Sequence, residues 1–205
     1  MGDIGEKVLS PALELLRGSG ALLEGHFLLS SGRHSDKYVQ CARLLQYPEK
    51  AAAALAPVAE QVRASVAAGG LAVDVLAGPA MGGILVAYEL GRQLGLPAFF
   101  TERGDDGIMS LRRGFEIKPG SRILITEDVI TTGKSFGECA AVLEARGGII
   151  SALACVVDRR TPGVEVPWPL YAACRVDAKN QAPEDCELCR QGLPLVKPGS
   201  RRIGR

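Results

Sequence analysis

Arg122-Ile-Leu-Ile-Thr-Glu-Asp-Val-Ile-Thr-Thr-Gly-Lys-Ser135 joins a short apolar run to two adjacent carboxylates and then to a Thr-Thr-Gly-Lys-Ser turn. The run Ile123 to Ile125 has the continuous apolar character of a strand covered on both faces, as in parallel sheets, and predicts a strand over Arg122 to Thr126. Beyond the turn, Phe136, Cys139, Ala140 and Leu143 repeat at i, i+3, i+4 and i+7, and Arg146-Gly147-Gly148 supplies a cation in the last turn followed by stop glycines. This spacing predicts a helix from Phe136 to Arg146. The loop therefore lies between a strand's carboxyl end and a helix's amino end, where unpaired amide groups converge on an anion and where open α/β sheets bind ligands.

Glu127 and Asp128 distinguish this loop from an ordinary phosphate cradle. Carboxylates beside a phosphate repel it unless they serve other groups, and vicinal ribose hydroxyls and a hydrated magnesium ion are the partners that suit them. Together these describe a phosphorylated ribose. Gly133-Lys134-Ser135 invites comparison with a Walker A loop, but that loop requires glycine where Asp128 stands, which argues against an ATPase. A polar strand-to-helix turn without a ligand is the plainer alternative.

Working outward, the 205 residues are 47% apolar and 23% charged, enough to bury a sizeable core as one domain spanning 1–205. A net charge of +1 provides no general basic field for nucleic acid or an acidic membrane surface, so local cations must hold any small anion. Ile149 to Val157, the longest late apolar run, is far short of the roughly 20 residues that span a bilayer. The amino terminus has no apolar signal core, leaving the cytoplasm as the expected location.

Six cysteines are expected as reduced thiols. Cys186-Glu-Leu-Cys189 has metal-ligand spacing, yet no second CxxC or His pair accompanies it in the sequence, so neither structural zinc nor a redox pair is expected. His26 and His34, eight residues apart in a hairpin-like segment, are likewise not expected to form a metal site, and His34 is read as a polar contact rather than a base.

Elsewhere, Glu6 to Arg17 reads as a helix closed by Gly18, and Leu22 to Val39 as two strands of a small hood, a segment of about 19–40. Pro48 opens a long helix ended by Gly69-Gly70, with a kink expected at Pro57. Leu71 to Ala77 reads as a strand, Ile84 to Leu94 as a helix, Ala98 to Thr101 and Ile149 to Val157 as strands. Alternation of strand and helix implies a mostly parallel twisted sheet with helices on both faces, an α/β fold. Thr101 to Ser110 lacks periodicity and is expected to be a mobile excursion, and the tail after Pro183 to be irregular coil.

These segments carry a resemblance. Ile123 to Ser135 resembles the phosphoribosyl pyrophosphate (PRPP) motif of the type I phosphoribosyltransferase family, and four further segments resemble its orotate-using branch in the same order. They are Gly25 to Tyr38, Gly78-Pro-Ala-Met-Gly-Gly-Ile84, Thr101 to Arg113, and Val157-Asp-Arg159. The resemblance implies magnesium-dependent transfer of phosphoribose from PRPP to orotate, in pyrimidine nucleotide synthesis, by a homodimer whose mobile loop is shared across subunits. It implies a PRPP-binding core over about 71–175, with Arg103, Glu127 and Asp128 catalytic and Arg103, Glu127, Asp128, Val129, Ile130, Thr131, Thr132, Gly133, Lys134 and Ser135 binding PRPP. Thr131 and Arg159 would face orotate, and Mg2+ would be held mainly through PRPP and water, with no direct protein ligand. This chain has Gly82 where many relatives carry lysine, and only Arg103 among the loop's expected cations, with Arg112 and Arg113 as nearby substitutes or as a sheet-supporting pair. A PRPP- or nucleotide-sensing regulator and a purine phosphoribosyltransferase are the alternatives on the same fold. For Arg159 the alternative is a surface ion pair.

Overall fold

The computed structural model describes residues 10–29, 31–161 and 163–198. Helix α1 (Pro11–Gly18) leads into an antiparallel pair, β1 (Leu22–Leu28) and β2 (His34–Val39). The pairing runs from Leu22 opposite Val39 to Leu28 opposite His34, with a register shift between Glu24 and Phe27. This is the expected hood. The expected helix from Glu6 is described from Pro11 onward, and residues 6–9 lie outside the described residues.

After α2 (Ala42–Leu45) and α3 (Pro48–Ala67), the chain enters a sheet formed by β3 (Val75–Pro79), β4 (Ala98–Arg103), β5 (Met109–Leu111), β6 (Arg122–Ile130), β7 (Ile149–Asp158) and β8 (Leu170–Arg175). Helix α4 (Gly82–Leu94) follows β3 and α5 (Lys134–Glu144) follows β6. The strand order is β5-β4-β3-β6-β7-β8, parallel throughout except for the β4–β5 pair. The expected α/β architecture is present. From β3 the chain steps one way to β4 and later returns to the other side of β3 as β6. The crevice at the carboxyl ends of β3 and β6 is thus a topological switch point, the place where such sheets bind ligands.

Strand alternation decides what each face buries. Leu124 packs on one face with Leu76, Leu16 of α1, Leu55 and Val58 of α3, and Leu90 of α4. Ile123 and Ile125 face the other way, toward Phe136, Cys139 and Leu143 of α5. All three strand residues are at most 1% exposed, as a doubly covered parallel strand requires. Burial of each such side chain contributes about 1.5–3 kcal/mol, which makes β6 a rigid base for the carboxylates at its end.

Several boundaries differ from expectation for physical reasons. β3 starts at Val75, not Leu71, because Asp74 meets the start of β6: its N–H donates to the Arg122 carbonyl and its carboxylate accepts from Arg122, leaving the preceding apolar residues without a ladder partner. β6 continues past Thr126 to Ile130, because β7 pairs with it as far as Ile130 opposite Asp158. Helix α3 is continuous from Pro48 to Ala67 with Pro57 in its interior, so the proline does not set a boundary. The expected excursion at Thr101 to Ser110 is instead a hairpin, pairing Thr101 with Leu111, Glu102 with Ser110 and Arg103 with Met109. Arg113 braces it with a two-pronged hydrogen bond to Glu102 at 2.8 and 3.0 Å, the sheet-supporting role weighed for that residue. The tail is not irregular either: a 3-10 turn (Pro183–Asp185) and α6 (Glu187–Arg190) fold it against the hood.

Candidate active site

The last residues of β6 bring Glu127 and Asp128 to the switch-point crevice. Glu127 and residues 129–136 line a small concavity open to solvent. Val129, Ile130, Thr131, Thr132, Gly133, Lys134 and Ser135 are therefore brought together with Glu127 around one concavity. Its floor is the start of α5, whose first-turn amides have no intrahelical acceptors. Gly133 holds the turn at φ +80°, and a Cβ there would lie 2.8 Å from the Phe136 ring, so the bend needs glycine twice over.

Asp128 sits at the cavity's shoulder, its Oδ1 accepting the Val129 N–H at 2.9 Å. A Cβ at Gly82 would lie 2.3 Å from the Asp128 Cγ. The loop after β3 thus packs directly on the carboxylate, and the absence of a side chain at residue 82 has a steric reason. Thr126 ties the same loop down by donating from its hydroxyl to the Gly83 carbonyl at 3.1 Å. Glu127 Oε2 is buried without a hydrogen-bond partner. Burial and the neighbouring Asp128 charge push the Glu127 carboxyl up to about 8, and burial also raises Asp128. Two desolvated acids with an unsatisfied oxygen suit an incoming cation or diol, so the residues present fit a hydrated magnesium ion carried by a diphosphate.

Arg159 follows β7 directly, and its backbone N–H donates to the Ile130 carbonyl at 2.9 Å, which places it beside the Thr131 turn. Its Nη2 donates to Ser35 Oγ at 2.9 Å and to the Lys37 carbonyl at 3.2 Å, while Nε is buried and unpartnered. Desolvation lowers its pKa. Among the described residues no carboxylate pairs with it, which overturns the surface ion-pair alternative; that role falls to Arg160, bound in two-pronged fashion to Asp158. The hood, through Ser35 and Lys37, was not singled out in the sequence as this residue's support. Arg103 stands apart: its guanidinium donates to the Gly107 carbonyl at 2.9 Å and pairs with Glu138 on α5.

The phosphoribosyl transferase domain matches residues 45–171. An orotate phosphoribosyltransferase of Heliobacterium modesticaldum is 49% identical over 189 residues, 92% of this chain and 96% of its own length. The chain belongs to the orotate phosphoribosyltransferase family. Among solved structures, the orotate phosphoribosyltransferase of Aeropyrum pernix superposes with a TM-score of 0.64 at 27% identity, covering 80% of this chain and 92% of that one. The UMP synthase of Leishmania donovani shares the fold at TM-score 0.67 and 22% identity, over 81% of this chain; the match spans 36% of that longer protein.

One sequence expectation is reversed. His26, His34, Cys186 and Cys189, read as unconnected, come together where the tail crosses the hood, their ligand atoms all within 4.8 Å of one another. The sequence hid this because the partners of the CxxC pair lie 160 residues away, at His26, and 155 away, at His34.

Proposed function

We propose that the protein transfers the 5-phosphoribosyl group of PRPP to orotate, yielding orotidine 5′-phosphate and pyrophosphate in pyrimidine nucleotide synthesis. The observation that carries this reading is the desolvated Arg159 guanidinium, with a free Nε and no carboxylate partner among the described residues, one backbone hydrogen bond from the carboxylate-and-glycine cradle. A planar two-donor fork is complementary to a planar carboxylate such as that of orotate. Thr131 completes the orotate side.

The chemistry follows from where charge develops. As the bond from C1 of the ribose to pyrophosphate lengthens, the ring gains oxocarbenium character and the leaving group gains negative charge. Glu127 and Asp128 hold the 2- and 3-hydroxyls and support the cationic ring. The amides of residues 131–135 hold the 5-phosphate, which fixes C1 against orotate. Arg103, on the β4–β5 hairpin, exchanges Glu138 for the pyrophosphate when substrate enters, in a homodimer where the hairpin reaches the neighbouring subunit's site. Glu127 and Asp128 would face a Mg2+ ion held mainly through PRPP and water, and the ion would supply positive charge to neutralise the leaving group. The core of about 71–175 and the hood of about 19–40 act as one domain in the cytoplasm; among the described residues no helix is long and apolar enough to cross a membrane.

A spectrophotometric assay with PRPP and Mg2+, run against orotate, adenine, guanine and uracil, tests the reading. Consumption of orotate alone is the expected result. Turnover of a purine instead, or PRPP binding without turnover of any base, would replace it with one of the alternatives on this fold.

A further inference from the structure

His26 Nε2 lies 3.1 Å from His34 Nδ1, 3.4 Å from Cys186 Sγ and 3.6 Å from Cys189 Sγ, and Cys189 Sγ lies 3.3 Å from His34 Nδ1. Hydrogen bonding alone does not account for this convergence. The other nitrogen of His26, Nδ1, is 2.9 Å from the Leu193 carbonyl, which can only accept, so Nδ1 carries the proton and Nε2 presents a bare lone pair. One lone pair accepts one good hydrogen bond, yet three groups are aimed at it. Four of the six separations, 3.1–3.6 Å, with all six within 4.8 Å, approach the spacing of a metal site instead. Bonds of about 2.0–2.1 Å to nitrogen and about 2.3 Å to sulfur, arranged tetrahedrally, put neighbouring ligand atoms about 3.3–3.8 Å apart.

We propose that His26 Nε2, His34 Nδ1, Cys186 Sγ and Cys189 Sγ form a closed structural site for one zinc ion that clamps the tail onto the hood. The donor set of two thiolates and two imidazoles selects zinc over magnesium or calcium, which prefer oxygen. Four protein ligands leave no position for substrate, so the role is structural. Binding releases the two thiol protons to solvent, and the two thiolates cancel the ion's charge at a place where His26, His34 and Cys186 are all buried. The Leu193 carbonyl on His26 supplies the outer hydrogen bond that fixes a ligating imidazole's tautomer.

The surrounding backbone is arranged for such a clamp. On one side His34 and Gln181 exchange N–H···O=C bonds at 2.8 and 2.9 Å; on the other, Val196 N–H donates to the His26 carbonyl and Leu28 N–H to the Val196 carbonyl, each at 2.8 Å. A two-stranded hairpin and a four-residue helix have little core of their own, and a metal cross-link is how small modules offset that. Ser35, the residue after His34, accepts from Arg159, so the clamp also fixes the hood strand that orients that guanidinium.

The test uses the full chain, freed of any affinity tag and purified under reducing conditions without added metal. Elemental analysis is expected to give close to one zinc per chain. After chelation, titration with Co2+ should produce tetrahedral d–d absorption and thiolate-to-cobalt charge transfer, saturating at one equivalent and reversed by zinc. Cys186→Ser/Cys189→Ser should lose both stoichiometric metal and the charge-transfer band. The wild-type cobalt spectrum needs no variant, so a misfolded variant leaves the test intact. Octahedral cobalt spectra, binding below one equivalent after full reduction, or a Cys186–Cys189 disulfide that survives reduction and excludes metal would each overturn the proposal. None of these readouts depends on turnover, so failure here and failure of the orotate reading are separately visible.

Discussion

Glu127 is an acid held in a place that disfavours its charge. Its carboxyl moves from an ordinary 4.5 up to about 8, chiefly through burial and secondarily through Asp128, which is raised as well. Between those pH values the folded state keeps a proton that the unfolded chain has released. Stability of the ligand-free protein therefore falls as pH rises through that window, and the decline is complete above about 8. Acids paired with arginine, such as Asp74 and Glu102, are shifted downward and contribute with the opposite sign, as stability lost at low pH. Comparison with Glu127→Gln isolates the one residue. The urea midpoint of the wild type is expected to decline between pH 5 and pH 8.5, with Glu127→Gln removing much of the decline. PRPP with Mg2+ favours the ionised form, so its binding at pH 7 should release protons in the wild type and fewer in the variant, measured by calorimetry in buffers of different ionisation enthalpy. Coincident pH slopes would show that the carboxyl is not perturbed.

At the scale of elements, β6, its turn and α5 act as a unit in which backbone shape matters more than side-chain charge. Lys134 begins α5, while Gly133 makes the bend that exposes the first amides. Lys134→Ala is expected to change kcat/KM for PRPP by less than about threefold, since the proposed function assigns most of the phosphate binding to backbone N–H groups. Gly133→Val should cost more than tenfold: a branched residue at positive φ is strained by about 1–3 kcal/mol and its Cβ would displace Phe136. Thermal melts of both variants separate loss of the cradle from loss of the fold. A larger effect from lysine than from glycine would make the loop a charge clamp. This unit was also the most legible part of the sequence, because an apolar run, adjacent acids and a four-position helical repeat all lie within two dozen residues. β5 and β8 were not legible. Met109–Leu111 is too short to show a period, and Leu170–Arg175 is a half-exposed edge strand with no alternation of apolar and polar residues to mark it. The Cys186–His26 convergence escaped because contact at long range leaves no local pattern.

For the whole molecule, the proposed function divides the labour between a sheet edge for a sugar phosphate and a hood that would complete a site for the base. The family match over residues 45–171 takes in the sheet edge and leaves out β1, β2 and the folded tail. Arg159 joins the two parts, because it leaves the sheet at the end of β7 and donates to Ser35 and Lys37 on β2. Steady-state kinetics of Arg159→Lys, with orotate and PRPP varied in turn, test that division most directly. A point charge replaces a planar fork at a charge-assisted contact of about 1.5–3 kcal/mol, so the KM for orotate should rise about ten- to a hundredfold while the KM for PRPP stays within about twofold. Equal increases for both substrates, or an increase confined to PRPP, would contradict the account and move the carboxylate site away from Arg159.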